Sequence, residues 1–208
     1  MKINHTYNYK SLPKKTPTAP EWDCQLYEFL VDQSVTEQLK IALFKHEKVI
    51  DINDNWKLYN IFTWEETIFS ELKKLIKEAY KNLNFTFTEK LWINGWVYYA
   101  RPNDFVNLHN HACHPDSFLS GNLCLTTCNV NTEYYIPIMS AASKIGPLKI
   151  PSIEGRMLLF PSYLPHMVTH LNEGTRLTIA FDLVTNNTMK TYHEDLMASD
   201  PLERAILL

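Results

Sequence analysis

Five of the eight histidines in this 208-residue chain fall between positions 109 and 170. His109, His111 and His114 lie close together, and His166 and His170 follow well downstream. Imidazole is a common metal ligand, and a facial metal site on a β-scaffold takes two ligands from one strand end and a third from a distant strand. Side chains alternate along a strand, so His109 and His111 point the same way if strand geometry continues that far. The alternative is a polar loop that happens to carry three histidines.

A second constellation begins where the apolar run Leu158-Leu159-Phe160 meets the two-proline turn Pro161-Ser162-Tyr163-Leu164-Pro165, which delivers His166. Ten residues on comes Arg176, one of four arginines, in an otherwise apolar strand. Leu177, Ile179 and Phe181 share one face of it, Arg176 and Thr178 the other. An arginine facing inward is costly unless an anion meets it, and its planar fork suits a carboxylate. Asn172-Glu173-Gly174 predicts a hairpin loop that pairs Leu171 with Thr175 and His170 with Arg176. His166, His170, Arg176 and Thr178 then share a face, with His166 about 13 Å along the ladder from Arg176. A small dicarboxylic acid could bridge a metal on His166 and the guanidinium. A two-residue loop reverses this parity. A protein carboxylate opposite Arg176, or an edge position from which it reaches water, is the simpler reading.

Other candidates are weaker. Cys113 beside His111 and His114 hints at zinc, but structural zinc sites use paired ligands at regular spacing. Cys124 and Cys128 read as small core residues. Trp92, Trp96, Tyr98 and Tyr99 could stack bases or sugars, although an aromatic core strand explains them more simply. Lys144 and Lys149 read as solvated residues of a long link. There is no glycine-rich phosphate loop and no Gly-x-Ser-x-Gly elbow.

The elements that must position these residues fall into two blocks. Residues 1–20, polar with scattered Lys and Pro, read as a flexible arm. A short strand follows near 26–31. Ser34-Val35-Thr36-Glu37 and Thr63-Trp64-Glu65-Glu66 read as capping boxes. The first opens a helix to about His46; the second opens one carrying Ile68, Leu72, Ile76 and Tyr80, ending near Asn82. From Phe85 the pattern turns to short strands: 85–88, 91–100, 123–127, 133–138, 156–160, 167–171 and 177–184. A short capped helix is expected at 200–204. Helices followed by strands predict an α+β class, read as one domain over 21–208 with a β core at about 85–185.

Length and composition set the outer limits. The chain suits one domain better than two. Its formal charge of −3 argues against a general nucleic-acid or anionic-membrane binder, though not against a local basic groove. No segment approaches the roughly 18 apolar residues of a membrane helix, and the N-terminus lacks a signal-peptide core. Cys24, Cys113, Cys124 and Cys128 form no disulfide framework, which predicts reduced thiols and a cytoplasmic location.

The stretch from Leu91 to Leu183 resembles the 2-oxoglutarate- and Fe(II)-dependent oxygenases, in particular prolyl-hydroxylase-like members and relatives in bacteria and phages. The resemblance rests on Trp92-Ile93-Asn94, His109-Asn110-His111, Ser117-Phe118-Leu119-Ser120-Gly121, Leu158-Leu159-Phe160-Pro161-Ser162, Leu164-Pro165-His166 and Arg176-Leu177-Thr178. It implies a double-stranded β-helix (a cupin-like jelly roll) with N-terminal helices packed on one sheet. It implies iron on His109 and His166 with His111 at the third-ligand position, 2-oxoglutarate gripped by Arg176 with help from Thr178, and Asn94 facing the cavity. The activity implied is a dioxygenase reaction with O₂ that releases succinate and CO₂ and most simply hydroxylates a substrate.

Two departures bear on that expectation. Many family members carry Asp or Glu where this chain has His111, so Asp116, His114 or water remain alternatives for the third ligand. Cys124 stands where relatives often have a Tyr that contacts 2-oxoglutarate, which leaves Tyr98, Tyr99 or another residue to replace it. The rival readings are a cupin-like three-His metalloenzyme that does not use 2-oxoglutarate, and a jelly-roll binding module whose histidines are incidental.

Overall fold

A computed structural model describes residues 1–19, 21–46, 59–83, 85, 90–111, 117–136, 146–189 and 204–208. The strands are β1 (Ile3–Lys10), β2 (Asp23–Leu30), β3 (Leu91–Ala100), β4 (Val106–His109), β5 (Ser117–Cys124), β6 (Asn131–Tyr134), β7 (Leu148–Pro151), β8 (Arg156–Pro161), β9 (His166–Val168), β10 (Arg176–Thr185) and β11 (Ile206–Leu207). Two helices, α1 (Gln33–Leu43) and α2 (Thr67–Lys81), precede β3.

All pairings are antiparallel and form two sheets, one ordered β1-β2-β8-β5-β10-β3-β11 and the other β4-β9-β6-β7. From β3 onward the chain passes back and forth between them. β3, β5, β8 and β10 lie in the larger sheet, and β4, β6, β7 and β9 in the smaller. That alternation is a jelly roll, in which two antiparallel sheets face each other.

One apolar cluster joins Val35, Leu39 and Leu43 of α1, Ile68, Leu72 and Ile76 of α2, and the odd-numbered face of β10. β3 is rich in aromatic and β-branched residues, which fit a pleated, half-buried surface. α2 repeats apolar residues at helical spacing and ends at Asn82, as its sequence predicts. No helix among the described residues is long and apolar enough to cross a membrane.

Several expectations need correction. The first ten residues are no loose arm, because β1 pairs with β2 along its length. The reason is Glu28, a buried carboxylate that needs partners. Asn4 donates to it at 2.6 Å and Tyr7 at 3.0 Å, and Arg156 Nε lies 3.2 Å away. Neither capping box forms. α1 begins after Asp32, which makes no side-chain cap, and Ser34 lies inside the helix. A 3₁₀ turn at Ile61–Thr63 takes up the Thr63 hydroxyl, which donates to Asn60 O at 2.7 Å, and α2 starts after Glu66 instead.

The hairpin between residues 166–171 and 176–184 is also absent. β9 pairs with β4 and β6, whereas β10 pairs with β3 and β5, so Asn172–Thr175 is a crossing between sheets. Leu171 is held by the turn after β3: its N–H donates to Asp104 O at 3.1 Å, and Asn103 N–H donates to Leu171 O at 2.7 Å. Gly174 has φ +75°, a left-handed conformation that favours glycine at this crossing. β7 runs through the segment read as a link, with Lys149 paired to Glu133 at 2.9 Å. Residues 86–88 of the expected 85–88 strand, and most of the helix expected at 200–204, lie outside the described residues.

Candidate metal centre

β4 ends on His109 and β9 begins on His166, and the two residues are direct partners in the antiparallel ladder. Their ring centroids are 4.4 Å apart. His111 lies two residues past the end of β4, and its backbone N–H donates to Ser162 O at 2.9 Å. That bond ties the His111 loop to the proline turn that delivers His166. One ring nitrogen from each of the three histidines lies within 4.8 Å of the others.

Each Nδ1 faces an oxygen: Asn107 O at 2.7 Å for His109, Leu164 O at 2.9 Å for His166, and Asp182 Oδ1 at 2.7 Å for His111. An oxygen acceptor on Nδ1 holds the proton there and leaves the lone pair on Nε2, the tautomer a metal requires. Burial, with the neighbouring histidines, pushes His166 down to about 3 and also lowers His109, so both are neutral near pH 7. At His111 burial acts downward too, but the charge and hydrogen bond of Asp182 outweigh it and the net shift is upward.

Asp182 went unremarked in the sequence, although the signal was available: an acid in an apolar strand, in step with Arg176 and Thr178. Ser120 Oγ donates to its Oδ1 at 2.6 Å. Across the sheet Asp182 pairs with Asn94 of β3, whose Oδ1 is buried without a hydrogen-bond partner. Trp96, also on β3, stands with its ring 5.5 Å from that of His111.

Arg176 is 3% exposed. Its Nε donates to Ser152 Oγ at 3.0 Å and its Nη2 to Thr132 Oγ1 at 3.4 Å, the latter from the opposite sheet. Both acceptors are neutral, and among the described residues no carboxylate forms an ion pair with it. Among the described residues neither simpler reading of Arg176 holds, since it has no carboxylate partner and β10 is not an edge strand. Thr178, one step further in along the same face, has a buried Oγ1 with no partner. Arg176 and His166 stand on strands of different sheets, not along one ladder.

The remaining candidates separate. His170 is exposed, with its ring on Phe105 at 4.4 Å, away from the three-histidine cluster. Cys113, His114 and Asp116 lie outside the described residues. Tyr98 donates its hydroxyl to Phe105 O at 3.0 Å, and Tyr99 packs with the outer cluster. Tyr134 also lies between the sheets, beside His166. It is fully buried, accepts from Asn122 Nδ2 at 2.9 Å and stacks on His166 at 5.6 Å. Only the register of β6 distinguishes it from Tyr135, whose hydroxyl donates to Met167 Sδ on the other face.

No family model and no curated protein matches the chain by sequence. Solved structures do match. A viral collagen prolyl hydroxylase from Paramecium bursaria Chlorella virus-1, in complex with 2-oxoglutarate, aligns with a TM-score of 0.59 over 77% of this chain and 96% of its own, at 12% identity. The chain shares its jelly-roll fold. A prolyl hydroxylase from Trichoplax adhaerens, bound to a hypoxia inducible factor peptide fragment, gives a TM-score of 0.59 over 79% and 86% of the two chains, at 13% identity. HygX from Streptomyces hygroscopicus, with nickel and 2-oxoglutarate bound, gives 0.58 over 77% and 82%, at 13% identity. The fold shared with these solved structures thus covers most of the chain at low sequence identity.

Proposed function

We propose that the chain is an Fe(II)- and 2-oxoglutarate-dependent dioxygenase. His109, His111 and His166 would hold the metal through their Nε2 atoms. Arg176 would bind the far carboxylate of 2-oxoglutarate, with Thr178 Oγ1 beside it and Asn94 on the wall near Asp182. Bound iron with this cosubstrate and O₂ supplies an oxidative decarboxylation that yields succinate and CO₂ and oxidises a substrate.

The observation that carries this reading is Arg176. A buried guanidinium without an acid is costly, and a dicarboxylate spanning from the histidines would satisfy it. The donor set fits the metal as well, since each of the three Nδ1 atoms has an oxygen acceptor, which favours the tautomer that leaves Nε2 free. Ser152 and Thr132 orient the guanidinium from one side, which leaves its remaining donors for a ligand. Tyr134 Oη accepts from Asn122 and so can offer its own proton to the cosubstrate, in place of the tyrosine absent at Cys124. Phe160 and Leu158 help to exclude water from the cavity. Cys24, Cys124 and Cys128 are free thiols, which supports a reducing, cytoplasmic setting.

The test is anaerobic titration with Fe(II) and 2-oxoglutarate, followed by exposure to O₂. A charge-transfer absorption that needs both ligands, and O₂-dependent succinate, are expected. A second reading is favoured by His111 itself: a three-imidazole iron site needs no 2-oxoglutarate in cupin-type enzymes. Iron binding without succinate formation would select it.

A further inference from the structure

We propose that Asp182 is the positioning residue of the metal centre, holding His111 in its ligand tautomer and placing beside the three imidazoles the negative charge that a carboxylate ligand would bring. The proposal rests on the metal-site reading above. It begins from a deficit: three neutral imidazole ligands bring no negative charge to a divalent cation, and the buried charge nearest in the strand, Arg176, is itself positive.

The hydrogen bonds around Asp182 have one consistent direction. His111 Nδ1–H donates to Asp182 Oδ1 at 2.7 Å, and Ser120 Oγ–H donates to the same oxygen at 2.6 Å. Ser120 has a single proton, so Ser162 Oγ, 3.0 Å away, must be the donor to Ser120. The chain from Ser162 through Ser120 therefore ends on a carboxylate that only accepts. Ser162 also takes the backbone N–H of His111 on its carbonyl at 2.9 Å. His111 is thus fixed from two sides, by β10 through its ring and by the turn before His166 through its main chain. His109 and His166 have only backbone carbonyls on Nδ1. His111 alone of the three carries an ionic partner, and it stands where a carboxylate is usual.

A carboxylate behind a ligating histidine raises the basicity of the ring and sets its orientation, and losing such a partner typically costs about 10- to 100-fold in metal affinity. Three variants separate the components. Asp182→Ala removes both charge and acceptor and should weaken Fe(II) binding, measured anaerobically, by about 100-fold. Asp182→Asn keeps an acceptor for Nδ1–H but no charge, and should weaken it by about 10-fold. Ser120→Ala keeps the charge and removes one donor, and should change affinity least.

The tautomer is read independently of metal, by ¹⁵N NMR of the imidazoles in the metal-free protein. His111 should be protonated on Nδ1 in the wild type and in Asp182→Asn, and should become a tautomer mixture in Asp182→Ala. Wild-type affinity in a folded Asp182→Ala protein, or in Asp182→Asn, would overturn the proposal. So would a His111 proton on Nε2 in the wild type. Failure of the wild type to bind Fe(II), with the tautomer as expected, would sink the functional reading instead.

Discussion

On β10, Leu177, Ile179, Phe181 and Leu183 point out of the sandwich into the cluster that contains α1 and α2, whereas Arg176, Thr178 and Asp182 point between the sheets. Burial does not separate the two faces: Leu177 is 1% exposed, Arg176 and Thr178 3% each. Satisfaction does. On the outer face every side chain has apolar neighbours and wants nothing more. On the inner face, among the described residues, a cation lacks an anion and a hydroxyl lacks a partner. An unmet requirement deep in a fold is a better pointer to a ligand than burial is.

The difference should be measurable. Phe181→Ala, on the outer face, is expected to cost about 3–5 kcal/mol of stability in denaturant titration, with Fe(II) affinity unchanged in the remaining folded protein. Its ring lies where a Cβ on Gly121 would come within 2.3 Å, so the space it fills is tightly bounded. Arg176→Met, on the inner face, should do the reverse. It should raise the 2-oxoglutarate concentration needed for half-maximal succinate formation by about 100-fold, or about 2.7 kcal/mol. The metal-free protein should be as stable as wild type or more so, because a buried unpaired charge has gone. A fall in stability without a change in cosubstrate requirement would merge the two faces.

A third measurement concerns His166, which also points inward. Its folded value lies near 3 and its unfolded value near 6.5, so only the unfolded chain takes up the proton between them. The metal-free protein should therefore lose stability as pH falls below about 6.5, with a slope approaching about 1.4 kcal/mol per pH unit from this group. His166→Gln should flatten that slope. His111 works the other way, since a raised folded value adds stability below about 6.5 that is lost as pH rises through it. Thr178→Val is the smallest change. It should raise the 2-oxoglutarate requirement about 5-fold and leave the metal-free protein about 1 kcal/mol more stable, having removed an unsatisfied hydroxyl.

Much of this is legible in the amino-acid sequence. The alternation that puts Leu177, Ile179 and Phe181 opposite Arg176 and Thr178 follows from strand geometry, whatever the strand pairs with. β3 and α2 were equally plain, because their residue types and periods agree over ten or more positions. The capping boxes misled because a short polar motif has competing uses: the Thr63 hydroxyl serves a 3₁₀ turn and Ser34 falls inside a helix. β1 was hidden because its order depends on Glu28, a partner well along the chain.

The sequence by itself determined which side chains could act and which of them share a face, since a two-residue period is a property of the local backbone. It held His109, His166, Arg176 and Thr178 as candidates for one site, and their chemistry as that of a metal and a carboxylate ligand. Tertiary structure alone decided how they meet. The crossing at Asn172–Thr175 could as well have been a hairpin, and only competition for partners among the strands sends β9 to one sheet and β10 to the other. The pairing of Asp182 with His111, 71 residues apart, belongs to the same class. Long-range pairing depends on what else is available to pair with, and no local rule carries that information.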